Sequence, residues 1–141
     1  MTVKKIMNKE LVTVRPSSTL IEVAQKMKEY RIGSVLVVEE GWKLKGIVTD
    51  RDVAIAVAAD SKDPKTTFAC EIMTADPICI AADADFDSAL RIMNQATVRR
   101  LPVTEDGKVV GLLSSADMAR EIKDEFQQFI GLEEAFAKQC C

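Results

Sequence analysis

Histidine is absent from this chain of 141 residues. Its absence removes Ser-His and Cys-His nucleophile pairs and histidine-ligated zinc, and with them most hydrolase designs. Excess positive charge is missing too: 19 Lys and Arg stand against 22 Asp and Glu, a net charge of -3 and a pI near 5.1. Binders of DNA or RNA usually concentrate basic residues on one face, so nucleic acid is not an expected partner. No apolar run approaches the roughly 20 residues that span a bilayer, so no membrane association is expected. The opening Met1-Thr2-Val3-Lys4-Lys5-Ile6 lacks the apolar stretch of a secretory signal, and a cytoplasmic location is expected. Cysteine is sparse, at Cys70, Cys79, Cys140 and Cys141, with no C-x-x-C pair. Cys70 and Cys79 stand among apolar neighbours and read as core or near-core residues. The adjacent Cys140 and Cys141 bridge each other only with strain, so a free or intermolecular thiol is expected there.

What is present is a globular composition, 48% hydrophobic and 29% charged, organised by an internal repeat. Ile6-Met7 recurs as Ile72-Met73, an offset of 66 residues. A short β-like run follows each, Leu11-Val12-Thr13-Val14 and Ile78-Cys79-Ile80. Next come helices with apolar residues at Leu20, Val23, Ala24, Met27 and at Phe86, Ala89, Leu90, Met93, the i, i+3, i+4, i+7 pattern of one helical face. Thr19 with Glu22 caps the first and Asp85 the second. Each copy continues through an apolar run (Val35 to Val38; Leu101-Pro102-Val103), an acidic turn ending in Gly41 or Gly107, and a second apolar run, which together make a β-hairpin. The second runs end at Gly46-Ile47-Val48-Thr49 and Gly111-Leu112-Leu113-Ser114, where the offset falls to 65 and one extra residue lies near Trp42. A helix closes each copy, from Asp52 to about Ala59 and from Asp117 onward.

The result is an α+β fold of two β-α-β-β-α repeats. A unit of about 60 residues struggles to bury a core alone, so the two sheets are expected to pack with pseudo-twofold symmetry. The expected boundaries are residues 1–60 for the first repeat, 61–69 for the linker, 70–122 for the second repeat and 123–141 for a C-terminal helical extension. Ile122, Phe126, Phe129 and Ile130 lie on one face of that extension before Gly131 interrupts it. It reads as a cap over the module's own core, with dimerisation or partner docking as the alternative.

Over nearly its whole length, and twice, the chain resembles the CBS (cystathionine-β-synthase) domain family. The resemblance rests on Ile-Met opening each unit, Thr19-Leu20, Arg99-Arg100-Leu101-Pro102-Val103, Gly46-Ile47-Val48-Thr49-Asp50-Arg51-Asp52 and Gly111-Leu112-Leu113-Ser114-Ser115-Ala116-Asp117. It implies a stand-alone bacterial or archaeal CBS pair with clefts between the copies, used to bind AMP, ADP, ATP, S-adenosylmethionine or a related ligand. It also implies a homodimer and a regulatory role in energy sensing or signal transduction, acting on a separate partner whose identity is unknown. No cofactor is required for such a role. The first copy has Gly33-Ser34 where the second has Arg99-Arg100, so the two clefts differ.

The residues give this a physical basis. In Gly-x-x-[Ser/Thr]-x-x-Asp the hydroxyl of Thr49 or Ser114 lies where a strand turns into a helix, and free N–H groups there can receive phosphate. Asp52 and Asp117 fall on the same side of the first turn, where a carboxylate can hold ribose hydroxyls. The same atoms also fit a capping box, and both roles can coexist. Arg51 is a phosphate candidate or is neutralised by Asp50 and Asp52. Arg99 and Arg100 are the stronger candidates, beside Pro102, with one of the two expected to face solvent because strand neighbours alternate. Asp83-Ala84-Asp85-Phe86-Asp87 lacks the glycine and terminal glutamate of an EF-hand and begins a helix, so a metal is not expected. Met7, Met27, Met73 and Met93 occupy paired positions and read as core. With no nucleophile-base pair or metal set, catalysis is not expected and no catalytic residue is assigned.

Overall fold

The computed structural model describes residues 1–139, which leaves the Cys140-Cys141 expectation outside the described residues. The elements in chain order are α1 (Val3–Ile6), β1 (Thr13–Val14), α2 (Leu20–Tyr30), β2 (Ser34–Glu39), β3 (Lys43–Thr49) and α3 (Asp50–Ala54), which runs into a π-helical turn at Ile55–Ala59. After the linker come α4 (Ala69–Ile72), β4 (Thr74–Ala75), β5 (Ile80–Ala81), α5 (Phe86–Ala96), β6 (Arg100–Glu105), β7 (Lys108–Ser114) and α6 (Ser115–Gln139). One sheet has the order β1-β2-β3-β4 and the other β5-β6-β7. In each the first pair is parallel and the hairpin antiparallel. Asn8 bridges Leu112 on β7, where β4 pairs with β3 in the other sheet. No helix among the described residues is long and apolar enough to cross a membrane.

Local chemistry explains the repeated elements. Thr19 Oγ1 accepts from the N–H of Glu22, whose carboxylate accepts from Thr19 N–H, so α2 opens on a full capping box. Asp85 Oδ1 accepts from Ser88 N–H at 2.8 Å to open α5. Both helices end on a left-handed residue at equivalent positions, Arg31 and Thr97. The hairpin loops differ as expected: Glu39 pairs with Lys43 across three residues, but Glu105 pairs with Lys108 across two. Each hairpin carries a bulge at the same repeat position, after Val37 and after Val103.

Two helix-covered cores and a third between the sheets hold the molecule together. Val35 and Val37 face the first core, while Leu36 and Val38 join Val109, Leu44 and Leu112 in the third. Strand β2 is therefore buried on both faces, which is why Val35 to Val38 reads as an unbroken apolar run. The opening segments are exchanged: Val3 and Met7 pack in the core of the second repeat, and Ala69, Ile72 and Met73 in that of the first. Gly46 and Gly111 make room for them. A Cβ on Gly111 would overlap the Met7 side chain, and one on Gly46 would lie 2.5 Å from Met73 Sδ and 2.8 Å from the backbone oxygen of Thr74.

Several expectations are corrected. Ala24 and Leu90, the i+4 members of the two helical faces, are exposed. The buried stripe is narrower than the periodicity suggested. Cys70 is exposed, because α4 turns Ala69 inward instead; Cys79 is half-buried, and burial pushes its thiol pKa up. The opening strands are shorter than predicted, and Ile78 is exposed ahead of β5. Helix α6 runs through Gly131 without a break, and only Met118 of it is buried, so the extension does not cap the module's core.

Gly111→Ala is expected to cost roughly 1–3 kcal/mol by overpacking, and Met7→Ala should cost less in that background than in the native chain, measured by denaturant unfolding. Gly46→Ala should cost more, because the Thr74 carbonyl is backbone and cannot move aside. A second test concerns Asp85, whose exposed carboxyl is held below the usual carboxylate range chiefly by the N–H of Ser88. Its folded pKa is lowered, so the cap contributes fully above the unfolded value and is lost as pH falls through the folded one. Asp85→Ala should lower Tm at neutral pH, and the gap should close in acid; Asp85→Asn, which keeps a capping oxygen, should stay close to the native chain.

Candidate functional site

Strand β7 passes into α6 at Ser114, and β3 passes into α3 at Thr49. Both junctions are reciprocal caps. Asp117 N–H donates to Ser114 Oγ at 3.1 Å and Ser114 N–H to Asp117 Oδ2 at 2.9 Å. Asp52 N–H donates to Thr49 Oγ1 at 3.2 Å and Thr49 N–H to Asp52 Oδ2 at 2.8 Å. Each cap uses one carboxylate oxygen and leaves the other. At Asp117 that second oxygen, Oδ1, accepts from Arg120 Nη2. The first repeat has Ile55 where the second has Arg120, and Asp52 Oδ1 has no partner among the described residues.

A cavity of about 380 Å³ opens beside the N-terminus of α6, within the range typical of small-molecule sites. Leu11, Val12, Ile32, Leu36 and Leu112 supply apolar walls. Arg99, Arg100, Ser114, Ser115, Ala116 and Asp117 supply the polar end, with Asn8 and Glu10 also on the lining. The helix start aims the positive end of its dipole at this space. Of its first N–H groups, that of Ala116 alone is without a partner among the described residues, since Ser114 N–H donates to Asp117, Asp117 N–H to Ser114 and Ser115 N–H to the Arg99 carbonyl at 2.8 Å. Among the described residues neither Arg99 nor Arg100 has a side-chain ion pair or hydrogen bond. Two unneutralised guanidiniums beside a helix N-terminus make an anion-receptive corner.

The structure thus gathers Arg99, Arg100, Ser114 and Asp117 into one cavity. Both arginines line it, against the expectation that one would face solvent. Arg99 precedes the start of β6, so strand alternation does not govern it. Thr49, Arg51 and Asp52 lie at the other junction, outside this cavity. Arg51 is exposed and carries no side-chain ion pair among the described residues; Asp50 Oδ1 instead accepts from the Arg51 backbone N–H. Pro102 is fully buried and pairs with Leu112, which does line the cavity. Gly33 separates the two junctions. A Cβ there would crowd Asp50 Oδ2 at 3.2 Å and meet Arg100 Nη2 at an ordinary contact distance of 3.7 Å, so the glycine leaves room for the Asp50 carboxylate.

Residues 3–59 and 69–124 each match the CBS domain. The chain belongs to the CBS domain family. A similar curated relative is the CBS domain-containing protein YhcV of Bacillus subtilis, 34% identical over 117 residues, which span 83% of this chain and 82% of that one. Hypoxic response protein 1 of Mycobacterium tuberculosis is 33% identical over 123 residues, 87% of this chain and 86% of that one. The solved structure of hypoxic response protein I, with two coordinated zinc ions, matches at a TM-score of 0.78 with 34% identity over 85% of this chain and 98% of its own. The CBS domain pair of protein MJ0100, in complex with 5′-methylthioadenosine and S-adenosyl-L-methionine, also reaches 0.78, with 29% identity over 89% of this chain and 98% of its own.

In this CBS pair, Asn8, Glu10 and Ile32 line the cavity, yet sequence reasoning did not select them. Asn8 arrives by the exchange, its N–H donating to the Leu112 carbonyl at 2.9 Å and its carbonyl accepting back at 3.0 Å. The repeat offset carried no sign of that crossing, because it is the same whichever core Met7 joins. Among the described residues, no three His, Cys, Asp or Glu side chains gather to hold a metal ion. Ser114→Ala should lower unfolding stability by about 1 kcal/mol with no ligand present, the usual cost of losing a helix cap, read by urea denaturation. Ser114→Thr should keep it.

Proposed function

We propose that this CBS pair is a regulatory binding module that takes a phosphate-bearing adenosine ligand, AMP, ADP or ATP, in the cavity between its repeats. The observation that carries the reading is the pair of guanidiniums, Arg99 and Arg100, without partners among the described residues, at the polar end of a cleft whose other walls are largely apolar, beside the N-terminus of α6. Phosphate is received by Arg99, Arg100 and the N–H of Ala116, and the hydroxyl of Ser114 adds a donor. The adenine lies between Leu11, Val12, Ile32 and Leu112, where its faces stay dry. Ribose hydroxyls go to Asp117, whose second oxygen is released as Arg120 turns toward the phosphate. That the MJ0100 pair is complexed with adenosine-based molecules supports the class of ligand. S-adenosylmethionine is the weaker candidate here, since its cationic sulfonium has nothing to gain from two arginines.

Thr49, Arg51 and Asp52 form the second, subsidiary position, with the free Asp52 oxygen suited to ribose and a single arginine for phosphate. Pro102 supports the main site by holding β6 beneath Arg100. The role is one of sensing on behalf of a separate partner, without catalysis and without a required cofactor, in a cytoplasmic homodimer. A ligand-free interaction scaffold is the second reading, and the exposed apolar face of α6 favours it.

Thermal shift with AMP, ADP, ATP and S-adenosylmethionine separates them. Ligand at about 100 times its Kd stabilises by roughly 2.7 kcal/mol, a rise of several degrees in Tm. At least one of the nucleotides should produce this rise at millimolar concentration. Arg99→Ala with Arg100→Ala should abolish it, Arg51→Ala should leave most of it, and added salt should weaken it. Absence of a shift from every nucleotide would sink the reading in favour of the scaffold.

A further inference from the structure

Helix α6 carries an apolar stripe that none of the described residues covers. Past Met118 its side chains leave the module: Ile122, Phe126, Phe129, Ile130, Leu132 and Phe136 are between 40% and 61% exposed. At about 100° per residue, Ile122, Phe126, Phe129 and Phe136 share a strip about 80° wide, with Ile130 and Leu132 on its flanks. With aromatic side chains offering about 150–250 Å² each, the six half-exposed residues present on the order of 700 Å², above the largest patch of a typical monomer and close to the ~800 Å² each partner buries in a standard interface.

We propose that the same stripe of a second copy covers this face, the two α6 helices packing antiparallel. Charge favours that occupant and that direction. Glu133 interrupts the stripe between Phe129 and Phe136. A parallel, in-register pair sets the two Glu133 carboxylates against each other, like charges in a desolvated seam. An antiparallel pair separates them and brings Lys123, at the start of one stripe, toward Glu133 and Glu134 at the end of the other. Among the described residues none of these three has an ion-pair partner within its own chain. A lipid surface fits poorly. The remaining faces carry Glu121, Asp124, Glu125 and Glu134 against Arg120, Lys123 and Lys138, whereas interfacial helices are rich in Lys and Arg. The proposal concerns the far end of α6 and does not rest on the nucleotide reading.

Sedimentation equilibrium of the full chain at micromolar concentration tests it. The native chain should dimerise, and Phe126→Glu with Phe129→Glu should weaken the dimer by at least about 100-fold, since two central aromatic anchors are replaced by charges. Both side chains are exposed, so the far-UV CD spectrum should stay native. Lys123→Glu should weaken association about tenfold, and adding Glu133→Lys and Glu134→Lys should restore it. A native chain that stays monomeric overturns the proposal, as does a double variant that dimerises as tightly as the native chain. Failure of the charge reversal to restore association overturns the antiparallel arrangement. Binding of a monomeric native chain to phosphatidylglycerol vesicles assigns the stripe to a membrane instead and overturns the second copy.

Discussion

The exchange of the two opening segments is the constraint on which the rest of the molecule depends. Met7 crosses from the first repeat to lie on Gly111 of the second, and Met73 crosses back to lie on Gly46 of the first. Each glycine sits opposite the residue at which its hairpin bulges, Val37 or Val103, so strand bend, missing side chain and inserted methionine form one arrangement made twice. Neither repeat can complete its core without chain from the other. A unit of about 60 residues is marginal alone, and reciprocal donation turns two marginal units into one cooperative body. The cavity is a by-product of the same crossing. Asn8 and the residues after it reach β7 only because Val3 and Met7 are anchored in the second core.

Much of this was legible in the residues. The offset of 66 placed both hairpins and both long helices, and the drop to 65 located the longer loop, because strands, caps and turns are set by short-range chemistry that repeats with the sequence. Legibility stopped where a decision depended on a distant partner. Ala24 and Leu90 sit at apolar positions of a helical face and yet are exposed, since the neighbouring sheet reaches only part of that face. Cys70 reads as apolar from its neighbours, but α4 turns Ala69 and Ile72 to the core and leaves Cys70 on its outer side. Gly131 looked like a stop, yet an exposed helix tolerates glycine at about 1 kcal/mol, and no neighbouring element forces a turn there.

The site shows the same division. That Ser114 and Asp117 meet at a helix start followed from their spacing, and both hydrogen bonds are present. What spacing did not reveal is how differently the two junctions are finished. Arg120 occupies the second oxygen of Asp117, whereas Ile55 leaves that of Asp52 open. Gly33 leaves space for the Asp50 carboxylate, and the repeat has no glycine at the matching position, Arg99. Backbone symmetry is therefore kept while charge symmetry is broken, with three guanidiniums around one junction and one at the other. The two junctions thus differ in their charge surroundings even though the chain path is nearly the same.

Helix α6 joins the two surfaces in question. Its first turn carries Ser115, Ala116 and Asp117 in the cavity, and its exposed stripe begins at Ile122, less than two turns further on. Between them lies Arg120, bonded to Asp117 on one side and free to follow the helix on the other. A helix of 25 residues moves as a rod, so a small change of direction at Ser114 is multiplied along its length. Under the two proposals made above, ligand and second copy act on one element, and each can bias the other only by as much as it distinguishes between orientations of that element. Met118 is the only residue of the helix that the module buries, and a rod held at one end is the part of this fold with the least to resist being turned.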